Sequence, residues 1–575
     1  MSDTSEILAL VRHLALQNAS HFGKTSAGVV SGHLLARRPD LAGSIKELMP
    51  MISSACEEVN SLSNEEIKRE LDALGEVPPI AIQRAAPSEL DLPPNPELPG
   101  YVLRFAPNPD GPLTLGNARP ALLCDYIAKK HGGKFVLRFE DTSPSVKPPL
   151  PEAYGWVLED LSWLGIKVDE VYYQSDRLEL YYSRAKRLME MGDAYVCLCD
   201  RESFRSHVRS KTPCPHRDQP PEENVRLWEQ MLSGKLKAGD AVVRVKTDLS
   251  HPNPAVRDWP ALRVDDAPHP RVGSKYKVWP LYNWSAAIDD HEMGITHIIR
   301  AKEHLTNEVR QSYVFRHFGW KFPTTVTIGR VKLEGSVLSK SKIMMGLKEG
   351  LYSGMDDPRV GTLKSLRRRG ILPEVIRETM LDLGAKPIEA TIKWDNLSSA
   401  NKARVDRITK RFFFVPQPLS LLVRGAPAVE SVRLPNHPDN RELGERIIAL
   451  NSKAGELRLW VSSPDISASS MGHVLRLMGL FNVTLATRAE TEATADYSDV
   501  TTHVSDKGLR TIQWAPSESA IAMSLLMPDA SWMEGLAEPN LSSEKEGELV
   551  QLMRVGFAKL ERVTEDNISA VFAHR

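Results

Sequence analysis

Two separated segments of this sequence carry the residue types that grip a polyphosphate. The first, Arg104 to Asn117, reads R-F-A-P-N-P-D-G-P-L-T-L-G-N, and the second, Val337 to Ile343, reads V-L-S-K-S-K-I. In the first, an apolar run from Tyr101 to Phe105 feeds a Pro/Asn/Asp/Gly turn and then a helix start. Free backbone N–H groups and the helix dipole favour an anion at such a terminus. Gly111 and Gly116 lack a Cβ, so a nucleotide can lie against the main chain. In the second, Lys340 and Lys342 supply charge that neutralises a leaving pyrophosphate. Gly335, Ser336, Ser339 and Ser341 suit a loop that closes over its ligand. Each piece alone is ordinary. Together they describe a device that holds ATP by its phosphates for attack at the α-phosphorus.

Such residues need a scaffold. From Gly100 to about Gly384 strands and helices alternate, which implies a parallel, Rossmann-like α/β sheet. Tyr101–Phe105 reads as its first strand, 116–131 as the first helix and Lys134–Phe139 as the second strand. Ligands of such sheets sit outside the carboxyl ends of the strands. Asn108, Asp110, Glu140 and Asp141 all fall just after a strand. Residues 190–275 break the alternation and read as an insertion, and 385–411 as a helical connector.

The flanks read differently. In residues 1–75, Ile7, Leu8, Val11, Leu14 and Leu16 recur at helical spacing, which predicts a small helical domain. Residues 76–99 are proline-rich and read as a linker. From Phe412 to the end, short runs such as R-F-F-F-V, L-S-L-L-V and L-R-L-W-V predict β-barrels.

A chain of 575 residues exceeds the ~250–300 at which single cores stop growing, so several domains are expected. The net charge of −1 gives no global sign of nucleic-acid binding, so any such contact must come from local patches, and none points to DNA. No apolar run approaches the ~20 residues that span a membrane. Five cysteines make no disulfide framework and fit a reducing compartment, so the chain is expected in the cytoplasm. No coiled coil is seen, and a monomer is expected. Cys197, Cys199, Cys214 and His216 form two close pairs of soft ligands, a set that suits a structural tetrahedral zinc. The alternative is reduced thiols in an ordinary loop. His291, His297 and His304 read as a helix ending at Gly294 and a strand, not as a metal set.

The order of the two phosphate segments resembles the paired signatures of class I aminoacyl-tRNA synthetases. The flanking words narrow this. R-F-E-D-T-S-P from Arg138, N-P-A-V-R-D-W-P-A-L-R-V from Asn253, V-W-P-L-Y-N-W from Val278 and D-D-P-R-V-G-T-L from Asp356 are similar to glutamyl-tRNA synthetases of the archaeal type. Their branch also contains the glutaminyl enzymes. The resemblance is close over 98–415 and loose elsewhere. It implies a Rossmann-like catalytic domain with an inserted acceptor-binding domain, an N-terminal helical domain and C-terminal all-β anticodon-binding barrels.

The resemblance also implies roles. Pro107, Asn108, Pro109, Asp110, Gly111, Pro112, Leu113, Thr114, Leu115, Gly116, Asn117, Glu303, Leu338, Ser339 and Lys340 would bind ATP, which travels with Mg²⁺. His304 would help to shape the same nucleotide pocket. Lys340, Lys342, Thr114 and Asn117 would carry catalysis. Arg104, Ala106, Asn108, Glu140, Tyr282 and Arg300 would hold the amino acid: guanidiniums for carboxylates, a carboxylate for the ammonium. Some relatives hold zinc in the insertion. The partner would be tRNA-Glu, with tRNA-Gln left open, and the basic runs Lys364–Arg369 and Lys402–Arg411 are expected to meet it.

One signature departs from the family. The usual H-I-G-H is Thr114-Leu115-Gly116-Asn117 here. Threonine and asparagine donate hydrogen bonds but cannot become cations. Neutral Asn108, where glutaminyl relatives tend to carry an acid, favours glutamate. The rivals are a glutaminyl enzyme and a tRNA-binding paralogue that has lost adenylation.

Overall fold

The structure, a computed structural model, describes residues 2–38, 41, 44–74, 90–450, 452, 455–498 and 510–575. It falls into two compact units, Met1–Glu89 and Leu90–Arg575. The first unit holds four helices, Ser2–Phe22, Ala27–Arg37, Ile45–Ser61 and Asn64–Leu74. Val11, Leu14, Leu16, Val30, Leu34, Ile52 and Val59 meet in its core. The expected linker lies outside the described residues up to 89. Residues 90–99 lie along the catalytic sheet as a strap: Asn95 donates to the carbonyls of Thr296 and Phe322, and the Tyr101 hydroxyl donates to Leu92.

The catalytic sheet has five strands, all parallel. Their order is Glu170–Tyr173, Lys134–Phe139, Val102–Phe105, His297–Ala301 and Thr324–Ile328. The order reverses beside Val102–Phe105. That strand pairs with the next in sequence on one side, and on the other with a strand that follows the long insertion. The crossover helix Leu115–Lys130 buries Leu115, Ala118, Leu122, Leu123 and Ile127 against the sheet. Gly133 ends this crossover. A Cβ there would lie 1.9 Å from the Tyr101 carbonyl oxygen, so only glycine lets the chain enter the second strand.

The insertion is a separate layer. Strands Ala194–Cys197, Val242–Val245, Pro260–Val264 and Val278–Pro280 pair antiparallel in that order. The sheet therefore runs on past residue 275. Trp228, Trp259, Trp279 and Trp284 fill its core together with Leu178–Met189 of the preceding helix.

Beyond the catalytic sheet, strand Val331–Leu333 pairs in parallel with Ala390–Ile392. Helices Lys340–Lys348, Leu363–Arg368, Pro373–Asp382 and Trp394–Val405 complete the domain. Two seven-stranded barrels follow. Each is closed by one broken strand. Arg411–Phe412 pairs with Leu549–Leu552 at one edge, and Phe414–Pro416 pairs with Trp532–Ala537 at the other. Arg510–Ile512 and Trp514–Pro516 close the second barrel in the same way, against Val474–Leu477 and Gly455–Ser462. The run R-F-F-F explains the break. Phe412 and Phe414 enter their own barrel's core, while Phe413 enters the other barrel's. Phe413 meets Trp514 edge-on with centroids 5.6 Å apart. No helix among the described residues is long and apolar enough to cross a membrane.

Candidate active site

A cavity of about 920 Å³ lies at the carboxyl ends of Val102–Phe105 and His297–Ala301, where the strand order reverses. Both phosphate segments line it, Gly116 from one side and Lys340 and Lys342 from the other. The Lys340 ammonium donates to Asp110 Oδ1 at 2.9 Å and to the carbonyls of Asn108 and Gly111. The segment Val360–Leu363 stitches the two loops together. Gly361 N–H bonds the Val337 carbonyl at 2.9 Å, and the Gly361 carbonyl accepts from Leu115 N–H at 3.0 Å. Leu363 N–H bonds the Leu113 carbonyl at 2.8 Å. A Cβ on Gly116 would meet no protein atom closer than 3.6 Å. Packing therefore does not demand that glycine, which leaves the helix start open on its cavity side.

Thr114 and Asn117 line the cavity but also serve the helix. Asn117 Oδ1 accepts from the Thr114 N–H at 3.0 Å and the Thr114 hydroxyl at 2.9 Å. This is a helix-start cap in which the threonine proton is committed to asparagine. The Asn117 Nδ2 is what remains for a phosphate or ribose oxygen. Pro107, Asn108, Asp110, Leu338 and Ser339 also line the cavity. Pro109, Gly111, Pro112, Leu113, Leu115 and Glu303 are not among its lining residues. Leu113 and Leu115 are fully buried in the sheet–helix core, and Glu303 pairs with Arg330.

The amino-acid end is a buried charge network. Arg104 donates to Asp290 at 3.0 Å, and Arg138 donates to Asp290 at 2.7 Å and to Glu140 at 3.1 Å. Asp289 accepts from Arg177, Tyr181 and Gln174. Asp289, Asp290 and Arg138 are at most 1% exposed. Arg300 donates Nη1 to Gln311 Oε1 at 3.0 Å. Its Nε and Nη2 are buried with no partner among the described residues, as is Asn108 Oδ1. Burial and the nearby Arg104 guanidinium push the Arg300 pKa down. Burial pushes the Glu140 carboxyl up, against the pull of Arg138 and Arg104. Four guanidiniums (Arg104, Arg138, Arg177, Arg300) thus face three carboxylates (Glu140, Asp289, Asp290). Glu308 also acts on Arg300, so the charges alone do not single out a ligand, but two buried guanidinium nitrogens are left without a partner, which fits a carboxylate. Ala106 and Tyr282 complete the wall.

Sequence reasoning missed Arg138 and Asp290 as network members, and Lys147, Arg330 and Lys332 as cavity cations. Asp289-Asp290 did leave a signal: two adjacent acids ending the apolar stretch N-W-S-A-A-I. His291 stacks on Trp320 at 3.7 Å and buried His297 on Tyr101 at 4.6 Å, so both serve packing.

In the insertion, the ligating atoms of Cys197, Cys199, Cys214 and His216 all lie within 4.8 Å of one another. Cys197 Sγ is 3.9 Å from Cys214 Sγ, and Cys199 Sγ is 3.4 Å from His216 Nδ1. Three sulfurs and one imidazole so gathered fit a tetrahedral zinc.

The basic run Lys364–Arg369 turns partly inward. Arg368 pairs with Glu561, Arg369 donates to the Ala573 carbonyl at 3.1 Å and stacks on Trp394, and Lys364 lies over the Trp156 ring. Arg368 and Arg369 thus join the catalytic domain to a barrel; Arg369 is buried, at 5% exposure, whereas Lys364, Arg367 and Arg368 stay partly exposed. In the second run, Lys410 pairs with Glu544, Arg411 with Asp406 and Arg404 with Glu378.

A switch-point cavity gripped by two loops, an inserted layer and a closed pair of barrels define a class I aminoacyl-tRNA synthetase architecture. Comparison with known proteins agrees. Residues 101–407 match the family "tRNA synthetases class I (E and Q), catalytic domain", and 409–503 match "tRNA synthetases class I (E and Q), anti-codon binding domain". A glutamate–tRNA ligase of Pyrococcus furiosus is 45% identical over 99% of this chain and 100% of its own. Those of Methanocaldococcus jannaschii (42%, over 98% and 99%) and Methanopyrus kandleri (42%, over 100% of both) are similar throughout. The chain belongs to the glutamate and glutamine branch of the class I tRNA synthetases.

Proposed function

We propose that the chain is an ATP-dependent glutamate–tRNA ligase. The observation that supports the choice of amino acid is the pair of buried Arg300 nitrogens, Nε and Nη2, that have no partner among the described residues. A glutamate side-chain carboxylate offers two acceptor oxygens to those two donors, whereas a glutamine carboxamide offers one oxygen and an NH₂ that would face a guanidinium. That carboxylate meets Arg300 and Arg104, and the substrate ammonium faces Glu140.

The α-carboxylate oxygen then attacks the α-phosphorus of ATP. The new P–O bond forms as the α–β anhydride bond breaks, and pyrophosphate leaves past Lys340 and Lys342. Mg²⁺ accompanies ATP as counter-charge. The 3′-terminal ribose hydroxyl of tRNA-Glu attacks the glutamyl carbonyl and AMP departs. No side chain forms a covalent bond. Positioning and charge stabilisation do the catalysis.

Cys197, Cys199, Cys214 and His216 would hold a structural zinc that ties the insertion's first strand to its following loop. The cysteines are all unpaired, which supports a reducing compartment such as the cytoplasm. Aminoacylation with labelled glutamate and glutamine on tRNA-Glu and tRNA-Gln in parallel tests the reading. Glutamate is expected on tRNA-Glu, and glutamine on neither. The level of glutamate on tRNA-Gln decides whether one tRNA or two are served.

A further inference from the structure

His304 ends the short turn that follows strand His297–Ala301. It lines the cavity, and its ring centroid is 5.7 Å from that of Tyr282. Its Nδ1 lies 3.1 Å from the side-chain nitrogen of Asn307. That amide is the last link of a chain whose direction is fixed by donor-only groups.

Arg300 Nη1 lies 3.0 Å from Gln311 Oε1. A guanidinium only donates, so the glutamine oxygen accepts and its nitrogen donates onward. Gln311 Nε2 donates to Asn283 Oδ1 at 3.4 Å, and Asn283 Nδ2 donates to Asn307 Oδ1 at 3.2 Å. Arg310 Nη1 also donates to Asn307 Oδ1, so a second guanidinium sets the same orientation. Asn307 must then turn its NH₂ toward His304, whose Nδ1 accepts. A neutral imidazole in that position carries its proton on Nε2. That nitrogen makes no hydrogen bond among the described residues. Burial and the guanidiniums of Arg300 and Arg104 hold the imidazole below its ordinary range and so neutral.

We propose that His304 is a substrate-contacting residue whose Nε2–H donates to a carboxylate oxygen of the amino acid beside Arg300. Asn307, Asn283 and Gln311 are positioning residues that keep the proton on that nitrogen. The inference rests on the reading that the ligand is glutamate. It moves His304 from the nucleotide pocket, where the family resemblance put it, to the amino-acid end.

Pyrophosphate exchange with tRNA present gives the test. His304→Ala is expected to raise the glutamate KM about tenfold, the loss of one hydrogen bond to a charged group, with the ATP KM within about twofold. His304→Gln, whose amide nitrogen can donate from a similar place, recovers most of that loss. Asn307→Asp gives the signature that a packing role would not. The aspartate, held ionised by Arg310, draws the imidazole proton to Nδ1 and turns a lone pair toward the substrate carboxylate. The glutamate KM of that variant rises at about pH 8 and recovers toward about pH 6, as the imidazole takes a second proton, while the wild type stays flat. Arg300, Arg104, Lys147, Glu303 and Tyr282 also face this imidazole and are the same in both proteins. Thermal melting checks that each variant is folded. A wild type with no glutamate exchange would sink the ligase reading and this inference together. An active wild type with an unchanged glutamate KM in His304→Ala, or with His304→Gln no better than alanine, overturns the inference alone.

Discussion

In the proposed mechanism Arg300 and Lys340 divide the chemistry between them, and their variants should fail differently. Arg300→Ala removes charge-assisted hydrogen bonds from the substrate carboxylate and should raise the glutamate KM by about 10–100-fold. Arg300→Lys should recover little, because a point charge does not match a planar carboxylate. A normal glutamate KM in Arg300→Ala would remove this residue from the pocket. Lys340→Ala should instead lower kcat for adenylate formation by about 10²-fold or more while leaving the glutamate KM nearly unchanged. Single-turnover adenylate formation separates the two, and an unchanged Lys340→Ala rate would contradict its role. At this scale the sequence was legible wherever a residue stands at or just past the carboxyl end of a strand: Arg104, Glu140 and Arg300 all line the cavity. It was less legible where one side chain has two uses. Thr114 and Asn117 read as ligand donors, yet their first partners are each other, because a helix start must satisfy its own polar groups. Arg138 and Asp290 were hidden because nothing in spacing distinguishes a buried ion pair from a surface one.

Among the elements, the first phosphate loop depends on Asp160 of helix Pro151–Trp163, whose carboxylate accepts the Leu113 N–H at 2.9 Å. Burial pushes the Asp160 carboxyl up from 3.8 to about 6. A carboxyl raised in the folded state contributes its full stability below pH 3.8 and loses it as pH rises to about 6. Asp160→Asn keeps the acceptor without the buried charge. It should match the wild type near pH 4 and exceed it above about pH 6 by on the order of 2–3 kcal/mol. Denaturant titrations at several pH values check this, and a difference independent of pH would contradict it. In the insertion, metal analysis should find one zinc per chain, lost in Cys214→Ser together with several degrees of Tm. A metal-free protein with the same Tm as the variant would make the cluster plain thiols. The strands and helices around the site were legible because each is a local pattern. The Val360–Leu363 stitch was not, because it joins Val337 to Leu113 and Leu115 through backbone bonds that leave no periodicity in the chain.

Across the whole molecule, the short apolar runs announced the barrels, but their closure could not be read. A strand broken at Phe413 serves two cores, and its pairing partners lie more than a hundred residues away. Arg446 and Glu538 seal that junction, buried at 6% and 0% exposure, with Glu538 also accepting the Phe413 N–H. Charge runs hide their protein partners for a related reason. Arg368 and Arg369 look like an RNA-facing cluster in one dimension, but folding brings Glu561 and the Ala573 carbonyl to them. The barrels are thereby tied to the loops that line the cavity, since the helix carrying Arg368 begins at Leu363, which is bonded to Leu113. The central claim is that this assembly activates glutamate and refuses glutamine because only a carboxylate satisfies both free donors of Arg300. Pyrophosphate exchange of the wild-type chain, run with tRNA-Glu and with each amino acid in turn, tests it most directly. Exchange that depends on glutamate and stays at background with glutamine is the predicted result. Exchange supported by glutamine, or by neither, would contradict the account.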